Sequence, residues 1–198
     1  PFERQDRRRL FAIGNRLWHS DSSFKTTPAK YSLLHAHSIP RKGGNTEFAD
    51  MRAAYDALDA DMKQQVEGLI CEHSQIYSRG KIGFTDLTDE ERARFAPVRQ
   101  VLVRSHPVTG RKSLYLSSHA GSVLGQPGPE GNIFLQDLIE HATQRQFVYA
   151  HEWQVGDLVI WDNRQTMHRA RPFHFAEPRD MRRTTLAGDG PTVPISPP

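Results

Sequence analysis

The chain has 198 residues, of which 37% are hydrophobic, enough for one globular domain with a substantial core. A net charge of +3 gives little support to nucleic-acid binding, and the single cysteine, Cys71, excludes an internal disulfide or a thiolate-bound metal cluster. No apolar run is long enough to cross a membrane and no secretion signal is present, so we expect a cytoplasmic protein that binds neither membrane nor nucleic acid.

The first informative stretch is residues 17–24, Leu-Trp-His-Ser-Asp-Ser-Ser-Phe, which follows a basic run at 4–9 that is typical of a solvated surface. If this stretch is extended, its two-residue period places the side chains of His19 and Asp21 on one face. A non-heme iron centre needs two histidines and one carboxylate, so a distant histidine must supply the third ligand. Taken alone, the pair is more typical of a solvent-exposed loop.

A strand is predicted over residues 31–38, followed by a turn at 43–45. His35 and His37 share a face of this strand, and we interpret them as core-edge or surface groups because no carboxylate accompanies them. Helical spacing of apolar residues then predicts two short packing helices, over 51–58 and 61–69.

The middle of the chain mixes strand and helix signals. Thr88 precedes three acidic residues and is predicted to cap a helix. The other predicted elements are a strand at 70–77, a hairpin of 98–104 and 112–117, a loop at 126–131 and a helix at 133–139.

The C-terminal third predicts strands over 147–153, 156–161 and 182–186. Short strands with helices inserted between them favour a mainly β fold, an antiparallel double-stranded β-helix (jelly roll), over a parallel α/β fold. We expect one domain over residues 1–190 and an unstructured Pro-rich tail over 191–198.

His168, which follows the hydrophobic strand that ends at Trp161, is the candidate third ligand, since a jelly roll can bring distant strands together at its mouth. Arg179 and Arg183 are an even number of residues apart, so on a strand they share a face while Arg182 points the other way. Two inward guanidinium groups are costly to bury unpaired, so each is expected to bind an anion.

These residues carry a family resemblance. The matching stretches are 17–24, 43–48, 50–58, 140–149 and 156–164. Through them the chain resembles the taurine dioxygenase superfamily of Fe(II)/2-oxoglutarate oxygenases, and within it the 2,4-dichlorophenoxyacetate dioxygenase branch. The part of the family fold that precedes residue 1 is expected to be missing.

The resemblance implies that His19, Asp21 and His168 bind Fe(II), with O2 and 2-oxoglutarate as co-substrates. It also implies that Thr46 and Arg179 hold the distal carboxylate of 2-oxoglutarate, a role that suits a hydroxyl donor and a guanidinium fork. Succinate and CO2 would be the co-products.

For the primary substrate, the resemblance makes Arg183 a candidate to bind an acid group, with His106 and Asn15 as further candidate contacts. Hydroxylation of an aryloxyalkanoate beside its ether oxygen gives a hemiacetal that collapses to a phenol and an oxo acid. Arg183 has the alternative of pairing with a surface acid, and His106 that of solvent exposure at a hairpin turn.

Two other functions stay open at this point. The same chemistry can act on an alkylsulfonate such as taurine or on another organic acid, because a guanidinium binds either anion. A non-catalytic metal-binding module that retains the fold is the third interpretation. In the first two cases the partner is a small organic acid, and a homo-oligomeric assembly is left open.

Overall fold

A computed structural model describes residues 7–174 and 176–194. Its helices are α1 (Arg7–Ile13), α2 (Met51–Asp56), α3 (Ala60–Val66), α4 (Gln75–Gly80), α5 (Asp89–Arg94) and α6 (Gly128–Ala142), with 3-10 turns at Gly14–Arg16 and Arg145–Phe147. Its strands are β1 (Ala29–Ser38), β2 (Thr46–Asp50), β3 (Ile70–His73), β4 (Val98–Val101), β5 (Val103–Ser105), β6 (Lys112–Leu114), β7 (Ala120–Val123), β8 (Val148–His151), β9 (Leu158–Asp162), β10 (Thr166–Ala170) and β11 (Asp180–Ala187).

All the strand pairs among the described residues are antiparallel, and early strands pair with late ones. One sheet has the order β11-β1-β9, a second β10-β2-β8 and a third β4-β3-β7, while β5 and β6 form a hairpin. The predicted antiparallel, mainly β architecture with inserted helices is therefore present. Its long-range pairing brings residues near position 20 beside residues near 165 and 183.

The register of two strands prepares the site. In the first sheet, Ser32 of β1 lies opposite Trp161 on one side and Thr185 on the other. In the second sheet, His168 of β10 lies opposite Phe48 of β2. These positions are set by strand pairing, so the side chains that they carry are held by the backbone of two sheets.

The apolar core lies beneath β10, where helices α2 and α6 pack on β6 and β7. Its members include Met51, Leu114, Leu135 and Met167, each at most 1% exposed. Successive strand residues point to opposite faces. Because Met167 points into this core, the neighbouring His168 is turned to the opposite face.

Several sequence predictions need correction. The strand predicted over 70–77 ends at His73, because the Ser74 side chain accepts the Ile76 N–H and caps α4. The loop predicted over 126–131 is instead the start of α6, with Pro129 in the first turn, where a missing N–H costs nothing. The strand predicted over 98–104 is divided, since β4 pairs with β3 and β5 with β6.

Two further corrections concern the site. The shared face of His19 and Asp21 was predicted for an extended segment, but within the described residues only His19 of this segment pairs with a strand, and Asp21 begins a turn in which Ser22 has a φ of 56°. His168 lies within β10 and not beyond the end of a strand. In the tail, residues 195–198 lie outside the described residues, while the Thr192 hydroxyl accepts the Val101 N–H at 3.1 Å. The division into a domain and a tail stays a prediction.

Candidate metal centre

Two of the predicted ligands lie side by side because the backbone joins them. The His19 N–H donates to the His168 carbonyl at 3.0 Å, and the His168 N–H donates to the His19 carbonyl at 2.8 Å. Residues that exchange both bonds lie directly opposite each other in an antiparallel pair. The two imidazole rings are consequently 4.2 Å apart between centroids.

Asp21 completes the cluster from the turn that follows. Its Oδ1 lies 3.7 Å from His19 Nε2, and its Oδ2 lies 3.6 Å from His168 Nε2. The three ligand atoms lie within 4.8 Å of one another, and each residue is 6% exposed. These separations exceed those of hydrogen bonds, yet one ion can touch all three groups. Within the described residues, this is the one group of three or more histidine, cysteine, aspartate or glutamate side chains that could hold a metal.

Protonation favours metal binding. His19 Nδ1 lies 2.8 Å from the Leu17 carbonyl, which can only accept, so Nδ1 carries the proton and Nε2 presents a lone pair. Burial lowers the pKa of His19, and burial lowers the pKa of His168 to about 3, so both rings are neutral near pH 7. Burial alone would raise the pKa of Asp21, but the imidazoles, Arg183 and a hydrogen bond from Ser32 lower it.

The donor set fits a divalent transition metal such as Fe(II). Two neutral imidazoles and one carboxylate form the set of a non-heme iron centre and leave a divalent ion with one net positive charge. His168 turns Nε2 toward Asp21, while its Nδ1 is buried without a hydrogen-bond partner within the described part of the chain. The structure thus brings together the three residues predicted to bind metal.

The predicted 2-oxoglutarate residues lie on neighbouring backbone. Arg179 Nη2 donates to the Gly44 carbonyl at 3.3 Å, two residues before Thr46. The Thr46 hydroxyl accepts from Trp153 Nε1 at 3.0 Å, which leaves its own hydrogen available to a ligand. Burial lowers the pKa of Arg179, and its Nε is buried without a partner among the described residues. The guanidinium therefore has a hydrogen-bond donor in reserve.

The predicted substrate residues are placed unequally. Arg183 Nη1 lies 3.2 Å from Asp21 Oδ1 while its side chain is 51% exposed, so it stands between the cluster and solvent. His106 Nε2 contacts Asp162 Oδ2 at 3.4 Å, and its Nδ1 accepts two backbone N–H groups of its own turn. Asn15 lies exposed in a 3-10 turn. The structure brings Arg183 to the cluster and places His106 against Asp162.

The strand-face argument for the arginines holds in part. Arg182 pairs with Asp180 and its side chain is 71% exposed, on the other face from Arg183, as predicted. Arg179 precedes the first residue of β11, so strand alternation does not set its direction. Its position comes from the contact with the Gly44 carbonyl and from the Phe173 ring, whose centroid lies 5.5 Å away.

Sequence reasoning missed two buried polar residues beside Asp21. The Ser32 hydroxyl donates to Asp21 Oδ2 at 2.7 Å, and the Asn163 amide bonds both Ser32 and the Asp21 N–H. Asn163 lies inside the matching stretch 156–164, which was the available signal. Ser32 carries no signal, because its importance depends on the register between β1 and β9.

The model of the family described as Taurine catabolism dioxygenase TauD, TfdA family matches residues 3–185. The chain is 50% identical over 177 residues to an alpha-ketoglutarate-dependent 2,4-dichlorophenoxyacetate dioxygenase of Cupriavidus pinatubonensis, covering 89% of this chain and 62% of that protein. It is 43% identical to an (S)-phenoxypropionate/alpha-ketoglutarate-dioxygenase of Sphingobium herbicidovorans, with 89% and 63% covered. The chain thus spans about three fifths of the length of these curated relatives.

Solved structures agree with the sequence relatives. The crystal structure of AAD-2 in complex with Mn(II) and N-oxalylglycine superposes with a TM-score of 0.92 at 62% identity, covering 94% of this chain and 74% of that one. A taurine dioxygenase from Burkholderia xenovorans superposes with a TM-score of 0.76 at 32% identity, covering 90% and 59%. These likenesses confirm the predicted jelly-roll fold. The chain belongs to the TauD, TfdA family of dioxygenases.

Proposed function

We propose that this chain carries the catalytic centre of an Fe(II)- and 2-oxoglutarate-dependent oxygenase that acts on a small aryloxyalkanoate in the cytoplasm. The observation that carries the proposal is the buried cluster of His19, Asp21 and His168, whose ligand atoms lie within 4.8 Å of one another. When bound, Fe(II) couples the decarboxylation of 2-oxoglutarate by O2, to succinate and CO2, with hydroxylation of a substrate C–H bond.

The chain's own residues hold the co-substrate. Arg179 presents a buried Nε without a partner among the described residues, and Thr46 keeps a hydroxyl hydrogen that no described contact requires. A guanidinium fork and a hydroxyl together match a carboxylate through charge-assisted hydrogen bonds. Arg179 and Thr46 therefore bind the distal carboxylate of 2-oxoglutarate.

Arg183 orients the primary substrate. Its guanidinium lies at the solvent side of Asp21, at 3.2 Å, so an acid bound to it has its neighbouring carbon close to the metal cluster. Fixing the substrate in this way turns a bimolecular encounter into an oriented one. Hydroxylation at the carbon between ether oxygen and carboxylate then gives an unstable hemiacetal, which releases a phenol and an oxo acid.

Support for an aryloxyalkanoate comes from the relatives. Those at 40–50% identity are named as dioxygenases of 2,4-dichlorophenoxyacetate or phenoxypropionate. Relatives at 30–34% include a protein named as a putative sulfonate dioxygenase and a sulfate ester dioxygenase, so an alkylsulfonate belongs in any substrate panel. His106 and Asn15 are weaker candidates for substrate contacts, because the described contacts of His106 go to Asp162 and to its own turn.

The proposed partner is a small organic acid and not a nucleic acid or a membrane, and a homo-oligomeric assembly stays open. None of the helices in the described part combines the length and apolar character that a membrane span requires.

Anaerobic titration tests the metal and co-substrate roles. Fe(II) and 2-oxoglutarate added together to the wild-type chain should produce the weak visible charge-transfer band of the chelate. His168→Ala should abolish the band. His37→Ala is the matched control, because His37 is exposed and contacts His35 instead of the cluster. A full band in His168→Ala, or none in the wild type, would reject the proposal.

A further inference from the structure

Asp21 is held differently from the two histidine ligands. His19 and His168 are fixed by strand pairing, whereas Asp21 lies in a turn and has no strand partner among the residues that the structure describes. Its orientation therefore depends on side chains. Two buried residues with no assigned role supply them, since Ser32 and Asn163 are each 0% exposed and both bond to Asp21.

The orientation of the Asn163 amide is fixed by its neighbours. Asn163 Oδ1 lies 3.1 Å from the Asp21 N–H and 3.0 Å from Trp161 Nε1. Both of these groups can only donate, so the atom that faces them must be the amide oxygen. The amide nitrogen of Asn163 consequently faces Ser32 Oγ, at 2.9 Å.

The direction of the next bond follows from this. A serine hydroxyl has one hydrogen and two lone pairs. Because Ser32 Oγ accepts from Asn163, its hydrogen is free for Asp21 Oδ2, an acceptor 2.7 Å away. Thr185 Oγ1, at 3.5 Å, can use the second lone pair of Ser32. Every polar atom in the chain from Asn163 to the carboxylate has one consistent role.

Asn163 itself is anchored. It follows the last residue of β9, and its N–H donates to the Lys30 carbonyl of β1 at 2.8 Å. The first sheet thereby fixes Asn163, which acts on both the backbone and the carboxylate of Asp21. One contact is direct, at the peptide N–H, and the other passes through Ser32 to the carboxylate.

We infer that Ser32 and Asn163 are positioning residues, which hold the Asp21 carboxylate in its metal-binding orientation through a one-way hydrogen-bond chain. The inference rests on the proposed metal centre. Partners of this kind, one bond removed from a metal ligand, typically change metal affinity by about 10–100-fold when removed. Without the Ser32 hydroxyl, Oδ2 loses its hydrogen bond, and the contact of Oδ1 with Arg183 is left to set the orientation of the carboxylate.

Metal affinity measured without turnover tests the inference. Ser32→Ala should weaken Mn(II) binding by about tenfold or more, followed by the loss of the free-Mn(II) electron paramagnetic resonance signal. It should also change the visible bands of bound Co(II), because the carboxylate occupies a different orientation. Ser32→Thr keeps the hydroxyl and should restore affinity and spectrum.

The matched control is Ser113→Ala, which removes a buried serine hydroxyl, 1% exposed, that donates to the Arg164 carbonyl at 3.0 Å. It should bind Mn(II) like the wild type, and thermal unfolding of both variants checks their folding. Wild-type affinity in Ser32→Ala, or equal losses in Ser32→Ala and Ser32→Thr, would overturn the inference. Asp21→Ala separates the two claims. If it loses Mn(II) while Ser32→Ala does not, the metal centre stands and the positioning role fails; if it binds like the wild type, both fail.

Discussion

Asp21 and Asp162 have similar neighbouring side chains, but their carboxylates differ in how far the protein satisfies them. Each lies beside imidazole and guanidinium groups, and each has a pKa below its usual value although burial acts to raise it. The Asp162 carboxylate accepts three hydrogen bonds from Arg164: from Nε at 2.9 Å, from Nη2 at 2.7 Å and from the backbone N–H at 2.9 Å. Its charge is compensated inside the protein.

Asp21 is surrounded differently. The nearest ring nitrogen of His19, at 3.7 Å, carries a lone pair and not a proton, so it cannot donate to the carboxylate. A lone pair facing a negative charge is favourable only when a cation lies between them. The same contrast separates the arginines, since hydrogen bonds with Asp162 raise the pKa of Arg164 while burial lowers that of Arg179. In these two comparisons the aspartate and the arginine with incomplete interactions, Asp21 and Arg179, lie at the proposed site, whereas Asp162 and Arg164 complete each other.

Replacing each of the two aspartates in turn gives the largest effects and tests directly whether one serves metal binding and the other stability. Asp21→Ala should abolish metal binding and reduce succinate formation by about 10³-fold, because a metal supplies several kcal/mol of catalysis. Asp162→Ala should retain metal affinity but lower the free energy of unfolding by about 3 kcal/mol, since it leaves the buried Arg164 guanidinium without its carboxylate. Urea unfolding and Mn(II) titration of both variants measure the two effects. Loss of metal in both, or of stability in both, would erase the distinction.

The incomplete bonding of Arg179 predicts the next effect in size. Arg179→Ala should raise the KM for 2-oxoglutarate by about 30-fold or more, because losing a charge-assisted contact to a carboxylate costs about 2–5 kcal/mol. Arg182→Ala is the control, since that side chain is exposed and paired with Asp180. An unchanged KM in Arg179→Ala would remove this residue from the co-substrate site.

The dependence of stability on pH is a smaller effect, which tests whether buried histidines are held neutral. Burial lowers the pKa values of His73 and His168 to about 3, from an unfolded value of 6.5. The unfolded chain therefore binds more protons between these values, and stability present above pH 6.5 is lost as pH falls, by about 1.4 kcal/mol per pH unit for each histidine. His73→Phe, which keeps a ring stacked on Tyr115, should flatten the slope of unfolding free energy between pH 6 and 4. An unchanged slope would contradict the conclusion that burial holds His73 neutral in the folded protein.

The sequence selects the three residues that the structure brings together, because two signals agree. His19 and Asp21 form a recognisable pair, and the resemblance selects His168 among ten histidines. The strands β1 and β9 are also predicted, with bounds within two residues of those observed. Site residues that are marked by their type and by long matching stretches can be selected from the sequence alone.

Other features depend on register and close packing. The strand β7 was missed because Ala120, Gly121 and Ser122 have weak β propensity, yet Gly121 suits its place because the Tyr77 ring leaves no room for a Cβ. The contact of Ser32 with Asp21 exists only in the observed pairing of β1 with β9, and the contact of His106 with Asp162 only after the hairpin is placed. Local sequence holds no record of these pairings.

The most direct test of the central claim is to measure succinate and phenol in the same reaction, with phenoxyacetate as substrate. The wild-type chain supplied with Fe(II), 2-oxoglutarate and O2 should form the two in equal amounts. Arg183→Gln should continue to form succinate slowly while phenol falls much further, because in the proposed function Arg183 positions the substrate and Arg179 the co-substrate. Equal loss of both products would assign Arg183 to the co-substrate or the fold, and wild-type succinate that rises with an alkylsulfonate but never accompanies phenol would contradict the proposed function.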